Sequence, residues 1–212
     1  MNIREKSYAS IVVFILGATM MPARADERPT SVTQKLASHT YVIPRNLIEM
    51  IYKPDYSGAP NPNPNWPHDP VVRLVVQWPE FTASIGGNGE ENAKRKIIIS
   101  LKRGATRTIA QDIESLNAQG LKSEIGAAQY GLKELRSDLS RNFREYIASP
   151  EYGLEFLIHC NQLDPAMLYS SCNYNFEYFG LKVNVYFASL FLSDWQEIHQ
   201  KTVALLNSIR KD

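Results

Sequence analysis

Apolar and polar residues alternate most clearly in the last third of the chain. Cys172–Phe179 and Leu181–Phe187 both alternate along their length, and Gly180 separates them. Such alternation is typical of strands that have one buried face and one solvated face. The pattern therefore predicts a half-buried antiparallel meander. Its tyrosines, Tyr174, Tyr178 and Tyr186, are expected to belong to the core or its rim, and the alternative is that they form an aromatic patch if their face is not covered.

The strongest helical pattern follows this meander. Its apolar stripe consists of Trp195, Ile198, Thr202, Leu205 or Leu206, and Ile209. Ser193 and Gln196 have the spacing of a capping box, in which the first side chain caps the helix. The sequence therefore predicts a C-terminal helix that Ser193 caps and whose stripe lies on the sheet.

Shorter apolar runs predict the remaining elements. Strands are expected over residues 39–44, 71–78, 94–102, 143–148 and 154–161, and the second and third of them pair as a hairpin. Ile109, Ile113 and Leu116 predict a helix that ends at Gly120.

Four segments have weaker patterns. Asn46 is expected to cap a short helical turn carrying Leu47, Ile48 and Ile51. Three other segments are expected to be irregular: 26–38 is frayed, 85–92 is a turn-rich connection, and 121–142 is a loop with a short strand near Gly131.

These elements predict an α+β fold, an antiparallel sheet with helices packed on one face. Strands followed by a helix occur over 39–120 and again over 143–210, which suggests two related strand-strand-helix halves. We expect an N-terminal α/β lobe over 26–125 and a C-terminal lobe of meander plus helix over 126–212.

The first 25 residues have the pattern of a secretory signal. Arg4 and Lys6 precede an apolar stretch over 11–21, and Ala23-Arg24-Ala25 supplies the small residues that a signal peptidase reads. The apolar stretch is too short for an ordinary membrane span. We therefore expect cleavage after Ala25 and a mature periplasmic protein without a membrane span.

A proline-rich loop over 54–70 contains the most conspicuous candidate binding residues, since proline excludes helix and central strand there. A stiff loop loses little entropy on binding, and tryptophan is a frequent interface anchor. The alternatives are that Trp66 folds back onto the core and that the loop is an ordinary surface segment. The candidate partner-binding residues in this loop are Asn65, Trp66, His68 and Asp69.

Composition narrows the classes of partner. The chain has 23 Lys and Arg residues against 22 Asp and Glu residues, so its net charge is +1. Proteins that bind nucleic acid through a broad surface are strongly basic, which argues against nucleic acid as the partner. The 44% hydrophobic content is typical of a globular protein.

Cys160 and Cys172 are the only cysteines. In an oxidising compartment they are expected to form a disulfide. The alternatives are a reactive thiol and a metal ligand beside His159. Neighbouring residues on a strand point to opposite faces, which argues against one ion shared by His159 and Cys160. No metal or other cofactor is predicted.

The sequence lacks the Gly-x-Ser-x-Gly and His-Glu-x-x-His motifs of hydrolases. Glu90-Glu91 and Asp112-Glu114 are the candidate paired carboxylates, although such pairs are common on solvated faces. Glu90 and Glu91 are retained as candidate partner-binding residues. The four histidines are widely separated in the sequence: His39, His68, His159 and His199.

Several features together resemble periplasmic immunity proteins of type VI secretion effectors in Gram-negative bacteria. They are the signal, the segments Tyr41–Asn46 and Val75–Phe81, the Cys160 and Cys172 pair, and the segment Leu192–Ile198. The resemblance implies an inhibitor rather than an enzyme, which blocks a cognate toxin injected by a sister cell. It carries over no binding residue and leaves the toxin class open between wall amidase, muramidase, peptidase and lipase.

The alternative function is an envelope enzyme or a periplasmic protein that binds a small ligand. That alternative predicts a deep cleft with convergent titratable groups. The sequence does not indicate an oligomeric state.

Overall fold

The computed structural model describes residues 29–52, 70–84, 90–104, 109–118, 123–137, 143–148, 157–161 and 170–211. Within these ranges the chain is mostly antiparallel sheet with a long C-terminal helix, which agrees with the predicted α+β class. Whether all helices lie on one face of the sheet stays a prediction.

The strands are β1 (Ser31–Leu36), β2 (His39–Pro44), β3 (Ile48–Tyr52), β4 (Val71–Gln77), β5 (Thr82–Ala83), β6 (Lys96–Arg103), β7 (Ser123–Gln129), β8 (Leu132–Ser137), β9 (Phe143–Ala148), β10 (Leu157–Asn161), β11 (Ser171–Tyr178), β12 (Leu181–Ala188) and β13 (Arg210–Lys211). The helices are α1 (Glu90–Lys94), α2 (Ile109–Ala118) and α3 (Trp195–Ile209), and 3₁₀ helices cover Arg45–Leu47 and Ser189–Asp194.

In the part of the chain that the structure describes, ten strands form the larger sheet, in the order β3-β4-β6-β12-β11-β10-β9-β8-β7, with β5 paired to β4. Every pair is antiparallel. Strands β6 and β12 pair over six positions, so the two predicted lobes contribute to one sheet. The lobe boundary at 125 and the relation between the two halves stay predictions.

A smaller sheet has the order β1-β2-β13. Its last strand follows α3 directly and places Arg210 opposite Tyr41 and Lys211 opposite Thr40. The chain end that the structure describes is thereby held against the first hairpin.

The elements with the clearest patterns are confirmed. The meander is β11 and β12, joined by the two-residue turn Phe179-Gly180. The predicted hairpin is the antiparallel pair β4 and β6, and the predicted strands over 39–44 and 143–148 are β2 and β9. The predicted helix near Ile109 is α2, while its predicted stop at Gly120 lies outside the described residues.

Two segments contain more strand than was predicted: the frayed segment forms a strand, which corrects that prediction, and two strands flank Gly131 where one short strand was expected. Ser31–Leu36 pairs with β2 over all six residues and buries Leu36. The segment around Gly131 is the hairpin of β7 and β8, which buries Leu132 and Leu135. In Ser31–Leu36 the fully buried residues are few and most side chains are polar, so the composition is that of a loop although the backbone is paired.

Three local predictions also need correction. The helical turn covers only Arg45–Leu47, and the residues after it form strand β3, which pairs with β4. The connection before β6 contains the helix α1. Ser193 lies in a 3₁₀ helix, and its hydroxyl donates to Asp194 Oδ1 at 3.1 Å rather than capping α3.

The core lies against one face of the larger sheet. Along β12, Leu181, Val183, Val185 and Phe187 are buried, whereas the residues between them are partly exposed. The predicted stripe of α3 is buried as well. Tyr174 and Tyr178 belong to this core, which confirms the interpretation that they are core or rim residues rather than a surface patch.

Hydrogen bonds at the start, middle and end of α3 link this helix to the rest of the fold. They run from Trp195 Nε1 to the Tyr130 carbonyl at 2.9 Å, from Lys201 Nζ to the Pro79 carbonyl at 2.5 Å, and from the Tyr178 hydroxyl to Asn207 Oδ1 at 2.6 Å. Among the described residues, none of the helices has the length and hydropathy needed to span a bilayer.

Candidate functional site

The proline-rich loop lies outside the described residues. The proposed binding roles of Asn65, Trp66, His68 and Asp69 therefore stay predictions.

Glu90 and Glu91 form the first turn of α1, where both face Lys94. The Lys94 Nζ atom lies 2.7 Å from Glu90 Oε1 and 3.7 Å from Glu91 Oε1. The hydrogen bond with Glu90 raises the pKa of Lys94. These contacts are typical of a solvated helix face, and the partner-binding role of the two glutamates stays a prediction.

Cys160 and Cys172 form the predicted disulfide, and they lie directly opposite one another on β10 and β11. The His159 ring lies on the other face, where its Nδ1 is 3.2 Å from Glu145 Oε1. Because both cysteines are joined to each other, the alternatives of a reactive thiol and a cysteine metal ligand are wrong. Within the described ranges, no three His, Cys, Asp or Glu side chains gather in a metal-binding group.

A cavity of about 390 Å³ opens beside the disulfide. Its rim carries two half-exposed apolar side chains, Tyr130 in the turn between β7 and β8 and Leu190 in the second 3₁₀ helix. Among the described residues that line it, Arg144 of β9 is the one with a charge. The other lining residues are Gln129, Tyr146, Cys160, Asn161, Ser170, Ser189, Leu192 and Ser193.

The cavity offers hydrogen bonds and one positive charge rather than acid and base groups. The Ser170 and Ser189 hydroxyls are hydrogen-bonded to each other at its wall, and the Arg144 Nε atom lies 4.0 Å from Glu134 Oε1. No carboxylate or imidazole belongs to the described lining. The arrangement suits a polar or anionic group and does not supply the convergent titratable groups of a general acid and base.

A second cluster lies between β11 and α3. The ring of His199 is 4.7 Å from that of Phe176 and 5.9 Å from that of Tyr174, measured between centroids. Burial raises the pKa of Tyr174, and a hydrogen bond with Thr202 opposes that effect. Burial also lowers the pKa of His199 to about 4. This cluster is part of the core and holds His199 in its neutral form.

We expect His199 to make the fold less stable in acid, by about 2 kcal/mol between about pH 7.5 and about pH 5. The pKa of histidine is about 6.5 in the unfolded chain and about 4 in the folded one. As the pH falls below about 6.5, the unfolded chain takes up a proton that the folded chain does not. The stability is therefore fully present above this pH and is lost progressively towards about pH 4.

Urea unfolding at a series of pH values tests this expectation, with His199→Gln as the comparison. The variant is expected to show a smaller loss of unfolding free energy across the same range, because it has no imidazole to protonate. Equal pH dependence in the two proteins would contradict the role assigned to His199.

Sequence reasoning did not find the cavity. Its lining comes from β7 and the turn after it, from β9 and β10, from Ser170 before β11 and from the 3₁₀ helix after β12, and only the strand pairing brings these together. The one local signal was Tyr130 followed by Gly131, because an exposed aromatic residue before a turn glycine stands at the cavity rim.

Comparison with solved structures gives the fold a context. The chain is similar to an immunity protein of the Stenotrophomonas maltophilia type IV secretion system, with 17% identity and a TM-score of 0.59, over 86% of this chain and 94% of that chain. It is also similar to the iron-regulated outer membrane lipoprotein FrpD of Neisseria meningitidis, with 17% identity and a TM-score of 0.46, over 85% of this chain and 92% of that chain.

Comparison of sequences adds no relative. No protein-family model matches the chain, and no curated protein matches it. At 17% identity the structural similarity shows a shared fold alone. The chain thus has a fold that is also found in a secretion-system immunity protein.

Proposed function

We propose that this chain is an immunity protein that is exported to the periplasm, where it binds and blocks a cognate antibacterial toxin delivered by a secretion system. The observation that carries the proposal is the similarity in fold to the Stenotrophomonas immunity protein, which extends over nearly all of that protein. The signal pattern in residues 1–25 supports export. The disulfide supports it too, since such bonds persist in oxidising compartments.

The delivery system in this proposal is of type VI, as the sequence resemblance implies. The similar solved protein belongs to a type IV system. The genes that surround the coding sequence distinguish the two, because the proposal expects an effector gene of type VI beside it. If the adjacent gene instead encodes a type IV effector, the immunity role would stand and the proposed delivery system would change to type IV.

The test is protection against the product of the adjacent gene. That product is sent to the periplasm of a susceptible Gram-negative host, with and without this chain, and growth is measured. We expect growth arrest in cells without the chain and normal growth in cells that contain it. We also expect the two purified proteins to form a complex with a submicromolar dissociation constant. Toxicity that the chain does not relieve, or the absence of a complex, would overturn the immunity role.

A chain without residues 2–25 is the matched control for the compartment. It keeps the whole predicted mature protein and lacks the signal pattern. We expect it to accumulate inside the cell and to give no protection from a periplasmic toxin. Equal protection by both forms would contradict the proposed location.

The proline-rich loop provides a separate prediction. If Trp66 anchors the toxin, Trp66→Ala weakens the complex by about 1–2 kcal/mol, because truncation of a buried interface tryptophan removes much of its contact area. The dissociation constant measured by calorimetry checks this expectation, with Asn61→Ala in the same loop as the control. Unchanged affinity would reject the loop as the contact surface and leave the immunity role standing.

The cavity favours one alternative function, binding of a small polar ligand. Its volume of about 390 Å³ lies within the range of ligand pockets, and Arg144 suits an anionic group. An envelope enzyme belongs to the same alternative. Turnover of an envelope substrate, or a ligand-dependent rise in melting temperature that Arg144→Gln removes, would favour this alternative over the immunity role.

A further inference from the structure

The end of the molecule opposite the disulfide brings together turns from both sheets. There the turn between β1 and β2 meets the turn between β11 and β12. The His39 and Phe179 rings have centroids 5.4 Å apart, and a Cβ placed on Gly180 would lie 3.7 Å from Ala37 Cβ. Since β11 and β12 each have eight residues, this end lies about 23 Å from the disulfide end.

Basic side chains collect at this end because of strand register. In the smaller sheet Lys35 and Lys211 both lie opposite Thr40, one on each side. In the larger sheet Lys102 lies opposite Lys182, and Arg103 lies opposite Leu181. We call this surface the basic end, which consists of Lys35, Lys102, Arg103, Lys182, Arg210 and Lys211.

Basic residues outnumber acidic residues at the basic end. Within the described part of this end, Glu177 is the one acidic residue, and it lies opposite Lys182. The next carboxylate along the sheet, that of Glu49, is paired with Arg73 at 3.1 Å. Because the whole chain is nearly neutral, this surface is a local concentration of positive charge.

An exposed aromatic ring lies against one of these basic side chains. Phe179 is 51% exposed, and the guanidinium carbon of Arg210 lies 3.8 Å from its ring centroid. Phe179 and Gly180 both have positive φ, 48° and 74°, in a two-residue hairpin turn. The first position of such a turn favours asparagine or glycine, so an aromatic residue there is a local exception of the kind found at functional sites.

We propose that the basic end is the surface on which the toxin docks, and that it takes an acidic patch of the toxin with an apolar contact for Phe179. This inference rests on the proposed immunity function and names the contacting surface for it. Aromatic residues and arginine dominate interface energetics, and charge complementarity steers association. A protein surface can contact both the Phe179 ring and the basic side chains, whereas a simple polyanion contacts only the basic side chains.

The test measures association and dissociation of the adjacent gene's product by surface plasmon resonance. Lys102→Glu with Arg103→Glu is expected to lower the association rate at least about tenfold at about 50 mM salt, and less at about 300 mM salt, where charges are screened. Phe179→Asn is expected to raise the dissociation rate at least about tenfold, while asparagine keeps the turn geometry.

The matched control is Lys96→Glu with Lys133→Glu. It changes the net charge by the same amount, and neither residue belongs to the basic end, since Lys96 lies opposite Gln77 and Lys133 lies opposite Ile147, three strands from β11. We expect it to bind within about threefold of the wild-type chain, because its charges lie outside the docking surface. Melting temperatures measured on each variant show whether it remains folded.

Each outcome decides the proposal. If the wild-type chain binds the toxin and both basic-end variants bind it equally well, the docking surface is overturned and the immunity role stays intact. An equal loss in the control pair also overturns the docking surface. No toxin binding by the wild-type chain overturns the immunity role itself.

Vesicles of phosphatidylglycerol and a DNA duplex serve as further probes. The wild-type chain is tested for binding to either probe at about 150 mM salt. If Lys102→Glu with Arg103→Glu abolishes that binding while toxin binding persists, the surface would be assigned to that polyanion instead.

Discussion

Trp195→Ala is expected to lower the free energy of unfolding by about 3–5 kcal/mol, the range for truncation of a large core side chain. Trp195 is completely buried, and it begins α3. Its Nε1 atom donates to the Tyr130 carbonyl at 2.9 Å. The substitution therefore leaves a large cavity at the start of the helix and removes a hydrogen bond between that helix and the hairpin of β7 and β8.

Urea unfolding followed by circular dichroism measures the loss, and two variants separate its causes. Trp195→Phe keeps most of the apolar volume and removes the donor, so it is expected to cost about 1–2 kcal/mol. Gln200→Ala lies on the exposed face of the same helix and is expected to stay within about 0.5 kcal/mol of the wild-type chain. A loss below about 1 kcal/mol for Trp195→Ala would contradict the packing described for α3.

The C-terminal part of the fold could be predicted because burial there has a clear period. Along β12 every second residue is buried, and α3 buries residues three or four positions apart. These are the periods that a strand and a helix impose on any sequence with one dry face. The order of apolar and polar residues is therefore sufficient to indicate both elements.

Strands β1, β7 and β8 could not be predicted in the same way. Strand β1 has one fully buried residue, Leu36, and most of its other side chains are polar. The turn between β7 and β8 uses Tyr130 with a φ of 55°, in place of the asparagine that usually marks such a turn. These segments are held in place by pairing with other strands, and the local sequence of a segment does not indicate which strand it pairs with.

The candidate surfaces follow from long-range pairing, so the sequence could not indicate them as surfaces. The basic end combines residues from Lys35 to Lys211, each an ordinary polar residue in its own strand. The cavity combines Tyr130, Arg144 and Ser189, which three separate elements contribute. Neighbouring pairs such as Lys102-Arg103 and Arg210-Lys211 are close in sequence, but no motif joins these pairs to each other or to Lys35 and Lys182. The local cue was an aromatic residue before a turn glycine, at Tyr130 and again at Phe179.

Replacement of both cysteines by alanine is expected to lower the free energy of unfolding by about 3 kcal/mol. The bond closes a loop with a sequence separation of 12, and such a cross-link reduces the conformational freedom of the unfolded chain by roughly this amount. Alanine is the appropriate replacement because Cys160 and Cys172 are buried, and a serine hydroxyl there would have to be desolvated.

Urea unfolding with and without dithiothreitol measures this effect. The wild-type chain is expected to lose about 3 kcal/mol on reduction, whereas the double variant, Cys160→Ala with Cys172→Ala, does not respond. A reductant effect of equal size in both proteins, or a loss below about 1 kcal/mol in the variant, would contradict the stabilising role of the bond.

The same bond connects stability with export, because a chain retained in a reducing cytoplasm would lack the cross-link. We therefore expect chains without residues 2–25 to unfold at lower urea concentration than exported chains, until they are oxidised after purification.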